Sequence, residues 1–195
     1  MPNKSAVSGY PALRIPNVVS SSLDLTELKL VPVSAAEVDR LKLVDGDVLF
    51  VRTNGNKEYV GRSAVFSEAF CTDRDVHGPV IFASYLIRAR PNISLVNPVW
   101  LQAELTMPRG RAALLERART SAGQFNINID GLSGIELVLP PLEDQRAFAA
   151  RIREIDKLKA HHRAHLAKLD ALFASLQDRA FRGELSGAAL EKEIA

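Results

Sequence analysis

Four arginines, Arg109, Arg111, Arg117 and Arg119, fall within eleven residues, and such a cluster can neutralise a run of phosphates. The same four can equally form a solvated helix face, and a formal net charge of +2 does not by itself announce a polyanion-binding protein. The spacings that could break bonds are incomplete. Glu27-Leu28-Lys29 is the one Glu-x-Lys tripeptide, but no acidic partner stands a strand earlier, so a metal-dependent nuclease has little support. Asn97-Pro98-Val99-Trp100 comes near the Asn-Pro-Pro-aromatic motif with which amino-methylating enzymes hold a flipped base. Its second proline is absent, no Gly-x-Gly loop follows a strand to seat a methyl donor, and Asn97 with Pro98 suits a helix N-terminus. His161 and His165 stand four apart on one helix face, yet no cysteine or acidic residue accompanies them there, so no metal is expected.

Two regions must position these residues. Residues 1–142 mix short β-type runs with turns, the runs being 13–19, 30–33, 48–53, 60–66, 80–88, 125–129 and 135–139. Helical patterns interrupt them at about 34–41 and 98–119, with Asn97 as N-cap, Pro98 at the first helical position and Pro108 ending or kinking the second helix. This order implies an α+β domain of mixed strands and helices, without a regular βαβ repeat. After Pro140-Pro141 neither proline nor glycine returns until Gly183. Steps of four and three from Phe148 land on Ile152, Ile155, Lys159, His162, Leu166, Leu169, Phe173, Leu176 and Ala180, a heptad seam with a polar centre. A helix of about 50 Å is too long for a domain of this size to cover, so part of its stripe calls for a partner helix. Gly183 is the expected stop, and 186–195 is expected to be a frayed tail.

The 47% hydrophobic content supports a folded core. A single cysteine, Cys71, allows no internal disulfide and points to a reducing compartment. With no apolar run of about 20 residues and no leader-like start, the expected location is cytoplasmic, without a membrane partner.

Leu139-Pro140-Pro141-Leu142-Glu143-Asp144-Gln145-Arg146, the heptad helix, and Leu176-Gln177-Asp178-Arg179-Ala180-Phe181-Arg182-Gly183-Glu184-Leu185 together resemble the repeated conserved region of type I restriction-modification specificity subunits. Leu13-Arg14-Ile15-Pro16-Asn17, the stretch from Leu43 through Asp45-Gly46-Asp47 to Gly55, Val60-Gly61-Arg62 and Asn126-Ile127-Asn128 agree in order with the same family. The resemblance covers nearly all of residues 10–185. It implies a target-recognition domain (1–142), a conserved dimerisation and spacer helix (143–185), and no catalytic site in this chain. A full subunit of the family carries two recognition domains and two such helices packed antiparallel, so one of each implies a half-subunit that pairs with a second copy or another half. The family's domain also begins with a further strand and turn, which implies a shortened start here.

The resemblance further implies double-stranded DNA, a methyltransferase (modification) subunit and a restriction subunit as partners, with S-adenosylmethionine, ATP and Mg²⁺ bound by those chains. Base reading needs donors that reach base edges, typically Arg or Lys to guanine and Asn or Gln to adenine. Arg52, Thr53, Asn54 and Lys57 rank first, on a polar loop where Asn54-Gly55 favours a tight turn. Arg14, Asn17 and Arg62 follow from the shared segments, and Arg109, Arg111, Arg119, Gln124 and Asn126 from the arginine cluster and the loop after it. Each has a scaffold reading beside the DNA-binding one: hairpin closure, fold support or loop capping. The seam residues Phe148, Ile152, Ile155, His162, Leu166, Leu169, Phe173 and Leu176 are assigned to dimerisation. Two other readings remain open, a helical interaction protein that binds no DNA and a minimal DNA methyltransferase.

Overall fold

Val48, Leu49, Phe50 and Val51 form β5 (Val48–Val51), and all four are buried. Side chains alternate along a strand, so β5 feeds two cores at once. Leu49 and Val51 join Leu13, Leu43, Phe66 and Leu86 in one, while Val48 and Phe50 join Ile87, Leu105, Leu114 and Ile127 in the other. An uninterrupted apolar run is what a strand covered on both faces requires.

The computed structural model describes residues 9–19, 21–72, 76–121 and 123–185, and the chain divides into two compact units between Ala149 and Ala150. The first unit is α+β. In its central sheet β5 lies between β7 (Ser63–Val65) and β9 (Leu86–Ala89), antiparallel to both, with Leu49 opposite Ala64 and Arg88. A second sheet sets β1 (Tyr10–Leu13) between β4 (Lys29–Val31), antiparallel, and β8 (Ile81–Phe82), parallel. A short ribbon pairs β2 (Val18–Val19) with β3 (Ser22–Leu23), and the last sheet has the order β10 (Arg119–Ser121), β11 (Gln124–Asn126), β6 (Thr53–Asn54).

Helices enter at capped positions. Ser34 and Glu37 form a reciprocal capping box that starts α1 (Ala35–Leu41). Asn97 Oδ1 accepts from the Val99 and Trp100 amides at the head of α3 (Pro98–Thr106), and Pro108 opens α4 (Pro108–Arg117) after a one-residue break. Gly110 lets the two helices touch, since a methyl there would overlap the Glu104 carbonyl oxygen and lie 2.7 Å from Leu105 Cα. Gly46, at φ +85°, turns the chain into β5, and the buried Asp47 beside it is gripped by Arg90 through bonds of 2.7 and 2.8 Å. That pairing holds the Arg90 guanidinium above its ordinary pKa, the hydrogen bond to Asp47 being the main cause.

Several expectations need correction. Residues 135–139 form no strand, because nothing pairs with them. The run 13–19 is broken by a 3-10 turn carrying Pro16, and 80–88 divides between two sheets as β8 and β9. The helical pattern drawn to 119 stops at Arg117, and Arg119 begins a strand. The sequence reading also missed α2 (Glu68–Thr72), β10 and α5 (Ile129–Ser133).

One helix, α6 (Leu142–Phe181), runs from the first unit into the second. Its first turns are anchored by Gln145, which is fully buried: Oε1 accepts from the Asn97 amide at 2.8 Å, and Nε2 donates to the carbonyls of Pro140 at 2.8 Å and Leu95 at 3.3 Å. At the other end Gly183, at φ +77°, closes a Schellman motif in which its amide donates to the Ala180 carbonyl and that of Glu184 to the Arg179 carbonyl. The expected stop is therefore where the helix ends. Residues 186–195, expected as a frayed tail, lie outside the described residues.

Candidate nucleic-acid interface

The chain changes sheets at Arg52. Its amide donates to the Tyr85 carbonyl on the β9 side, and its carbonyl accepts from the Ile127 amide at the end of β11. The exposed Arg52 side chain stands at that crossing. Beyond it, β6 pairs antiparallel with β11, Asn126 opposite Thr53 and Phe125 opposite Asn54, while β10 sets Arg119 opposite Asn126 on the other edge. Two segments that are 65 or more residues apart in sequence therefore share one sheet.

Alternation then sorts the residues by face. Phe125 packs on the core that holds Phe50 and Ile127, and Asn54 and Thr120 share its side. The opposite side carries Thr53, Arg119, Gln124 and Asn126. Thr53 Oγ1 donates to Gln124 Oε1 at 3.0 Å across the strands, and Asn126 Nδ2 reaches the Gln124 carbonyl at 3.4 Å. Arg119 and Gln124 are exposed, Thr53 and Asn126 half-buried. Four donor-bearing side chains thus form one polar patch over an apolar backing, with Gly123 at φ +76° in the turn between β10 and β11.

The other candidates fall elsewhere. Asn54 turns its amide oxygen to the Asn56 amide at 2.9 Å, and Asn56 caps the 3-10 turn Lys57–Tyr59 in the same way. Gly55 does not take a left-handed conformation, so Asn54-Gly55 closes no two-residue hairpin. Lys57 is exposed on that 3-10 turn, and the Arg62 guanidinium lies 3.7 Å over the Tyr59 ring. Arg111 points inward. Its guanidinium donates to the carbonyls of Val60, Lys57 (3.1 Å) and Glu58 (2.8 Å), and burial pulls its pKa below the ordinary arginine value. Asn17 is buried too: its Oδ1 accepts from the Arg14 amide and its Nδ2 donates to the Asp24 and Glu27 carbonyls. With these donors spent inside the fold, Asn17 and Arg111 act as scaffold. Arg14 Nε is buried without a hydrogen-bond partner, and Arg109 is exposed in the first turn of α4.

Within the second unit the seam lies open. Ile155, Leu166, Leu169, Phe173 and Leu176 are all exposed, as is His162, whereas Ile152 is half-buried. Phe148, assigned to the same seam, belongs to the first unit and is half-buried. The His161 and His165 rings lie 4.1 Å apart, but among the described residues no group of three His, Cys, Asp or Glu is placed to hold a metal ion. No helix among them is long and apolar enough to cross a membrane.

No family model matches the sequence. The type I restriction enzyme EcoKI specificity subunit of Escherichia coli (strain K12) is 30% identical over 189 residues, which cover 95% of this chain and 39% of that protein. The StySPI specificity subunit of Salmonella potsdam is 27% identical over 160 residues, covering 80% of this chain and 33% of its own length. A solved chain from work on complex assembly and conformational transition of the type I R-M system superposes with a TM-score of 0.53 at 18% identity. That superposition covers 91% of this chain and 43% of the other, and at such identity it is the fold that is shared. The chain thus spans between a third and two fifths of the length of the curated relatives it matches. Over most of its length it is homologous to type I restriction enzyme specificity subunits.

Proposed function

We propose that this chain reads DNA for a type I restriction-modification enzyme and supplies one recognition domain of the pair needed for a split target. The observation that carries this reading is the patch of Thr53, Arg119, Gln124 and Asn126 on one face of a three-stranded sheet. Amide side chains can pair with adenine edges, Thr can contact either base type, and an exposed arginine can hold a phosphate or a guanine. Arg52 is exposed where the chain enters that sheet, and Lys57 and Arg109 are exposed cations elsewhere on the same unit that can hold phosphates. Methylation and cleavage are assigned to partner chains, a methyltransferase subunit with S-adenosylmethionine and an ATP- and Mg²⁺-dependent restriction subunit.

The exposed stripe of α6 gives the second recognition domain its place. A second copy, or another half-subunit, covers that stripe, and the paired helices then act as a ruler: one added turn shifts a domain by about 5.4 Å along the axis and alters the spacer, not the bases read. The test is a binding titration over a salt series, using a duplex selected by the assembled complex and a scrambled control. Asn126→Ala and Gln124→Ala are expected to weaken binding to the selected duplex and relax preference at one position per half-site. Wild-type affinity and discrimination in both variants would reject this patch as the reading surface.

A further inference from the structure

The two carboxamides on the polar face of the β6, β11 and β10 sheet are held by different arms. Thr53 Oγ1 donates to Gln124 Oε1 at 3.0 Å, whereas Asn126 Nδ2 donates to the Gln124 carbonyl at 3.4 Å. A main-chain carbonyl only accepts, so the amino arm of Asn126 is the one drawn to it. Oxygen and nitrogen diverge from a carboxamide carbon, and a tie on one arm leaves the other turned elsewhere. Among the described residues Gln124 Nε2 has no hydrogen-bond partner, and neither has Asn126 Oδ1. The unspent arms are opposite in kind, a donor on Gln124 and an acceptor on Asn126. Both residues belong to β11, two apart, and alternation keeps them on one side with Thr53 and the exposed Arg119.

That difference matches a division among the bases. In the major groove guanine O6 and thymine O4 accept, whereas adenine N6 and cytosine N4 donate. A donor arm therefore favours a keto base and an acceptor arm an amino base. An exposed glutamine without a tie presents either arm, because half a turn of its amide exchanges them. The Thr53 hydroxyl, 71 residues away in the sequence, holds Gln124 Oε1 and leaves Nε2 as the arm open to a ligand.

We propose that in each half-site Gln124 selects a keto base, guanine or thymine, and Asn126 an amino base, adenine or cytosine, with Thr53 as the positioning residue that fixes the first choice. The inference rests on the reading face proposed above, and the experiment separates the two. The full-length protein, assembled with its methyltransferase subunit, selects from a random duplex pool, and the bound DNA is sequenced. Gln124→Ala and Asn126→Ala each mark the position their residue reads, as the one whose preference disappears. Gln124→Glu and Asn126→Asp then offer only acceptors at those positions. The first replaces a donor, so it should lose or invert the preferred base pair; the second retains an acceptor, so it should keep the preferred pair. Competition titrations should put each wild-type preference at about tenfold, falling to about twofold at the Gln124 position in Thr53→Val and staying near tenfold in Thr53→Ser. A purely structural Thr53 would instead lower affinity for every duplex alike and leave the preference unchanged, which overturns its positioning role. A retained pair in Gln124→Glu, a changed pair in Asn126→Asp, or a position marked by only one alanine variant overturns the inference and leaves the reading face standing. No enrichment, or enrichment that neither alanine variant alters, overturns the reading face and the inference with it.

Discussion

Arg111 and Arg119 stand eight residues apart in one basic cluster and do opposite work. The first spends its guanidinium on the carbonyls of Lys57, Glu58 and Val60, and the second stands exposed beside Asn126. Arg111→Met should therefore lower stability by about 2 kcal/mol, since three carbonyls, that of the buried Val60 among them, lose charge-assisted donors, and leave the DNA affinity of the folded protein unchanged. Urea denaturation alongside a binding titration reads both quantities, and a DNA defect without a stability loss would contradict the assignment. Arg119→Ala should instead weaken binding to all duplexes alike and flatten the salt dependence by about one ion, whereas Asn126→Ala should cost about 1 to 3 kcal/mol on the preferred sequence alone. An unchanged salt slope in Arg119→Ala would remove it from the phosphate contacts. The residue types for this chemistry were legible in the sequence. Which arginine turned inward was not, because a helix-compatible run hides the switch at Ala118 from α4 into β10. Asn54 also ranked ahead of Asn126 in the sequence, but pairing with β11 sets the two on opposite faces, with Asn126 on the polar one.

At the scale of elements, two contacts hold the first unit together, one inside its helix hairpin and one at the start of α6. Gly110→Ala should cost about 1 to 3 kcal/mol or more, because the added methyl meets backbone of α3 that cannot move aside. Gln145→Leu should cost at least as much, since it strands the Asn97 amide and the Leu95 and Pro140 carbonyls in a buried place. Thermal or chemical denaturation checks both, and wild-type stability in either would refute the corresponding contact. Local chemistry made some elements plain beforehand: the Asn97-Pro98 helix start, the Pro108 break, the Gly183 stop and the β-type run 48–53 that contains β5. Three short elements, α2, α5 and β10, were not legible because their tertiary pairing, rather than propensity, selects them. Gln145 was quoted as part of a motif, but a polar side chain with no apolar periodicity gives no sign that it will be fully buried.

At the scale of the whole molecule, the apolar stripe exposed along residues 150–181, taken with the reading face proposed above, calls for a second copy. Leu166→Asp with Leu169→Asp should give monomers by light scattering, because burying carboxylates in a symmetric seam costs several kcal/mol, while the fold of the recognition unit persists. Unmodified protein that stays monomeric at tens of micromolar, roughly, would remove the pairing. The most direct measurement is selection from a random duplex pool by the full-length protein assembled with its methyltransferase subunit, followed by sequencing of the bound DNA. Two identical reading faces related by a two-fold axis should recover an inverted repeat, its halves separated by a spacer of fixed length and free sequence. Recovery of one continuous site without that symmetry, or no enrichment at all, would contradict the account.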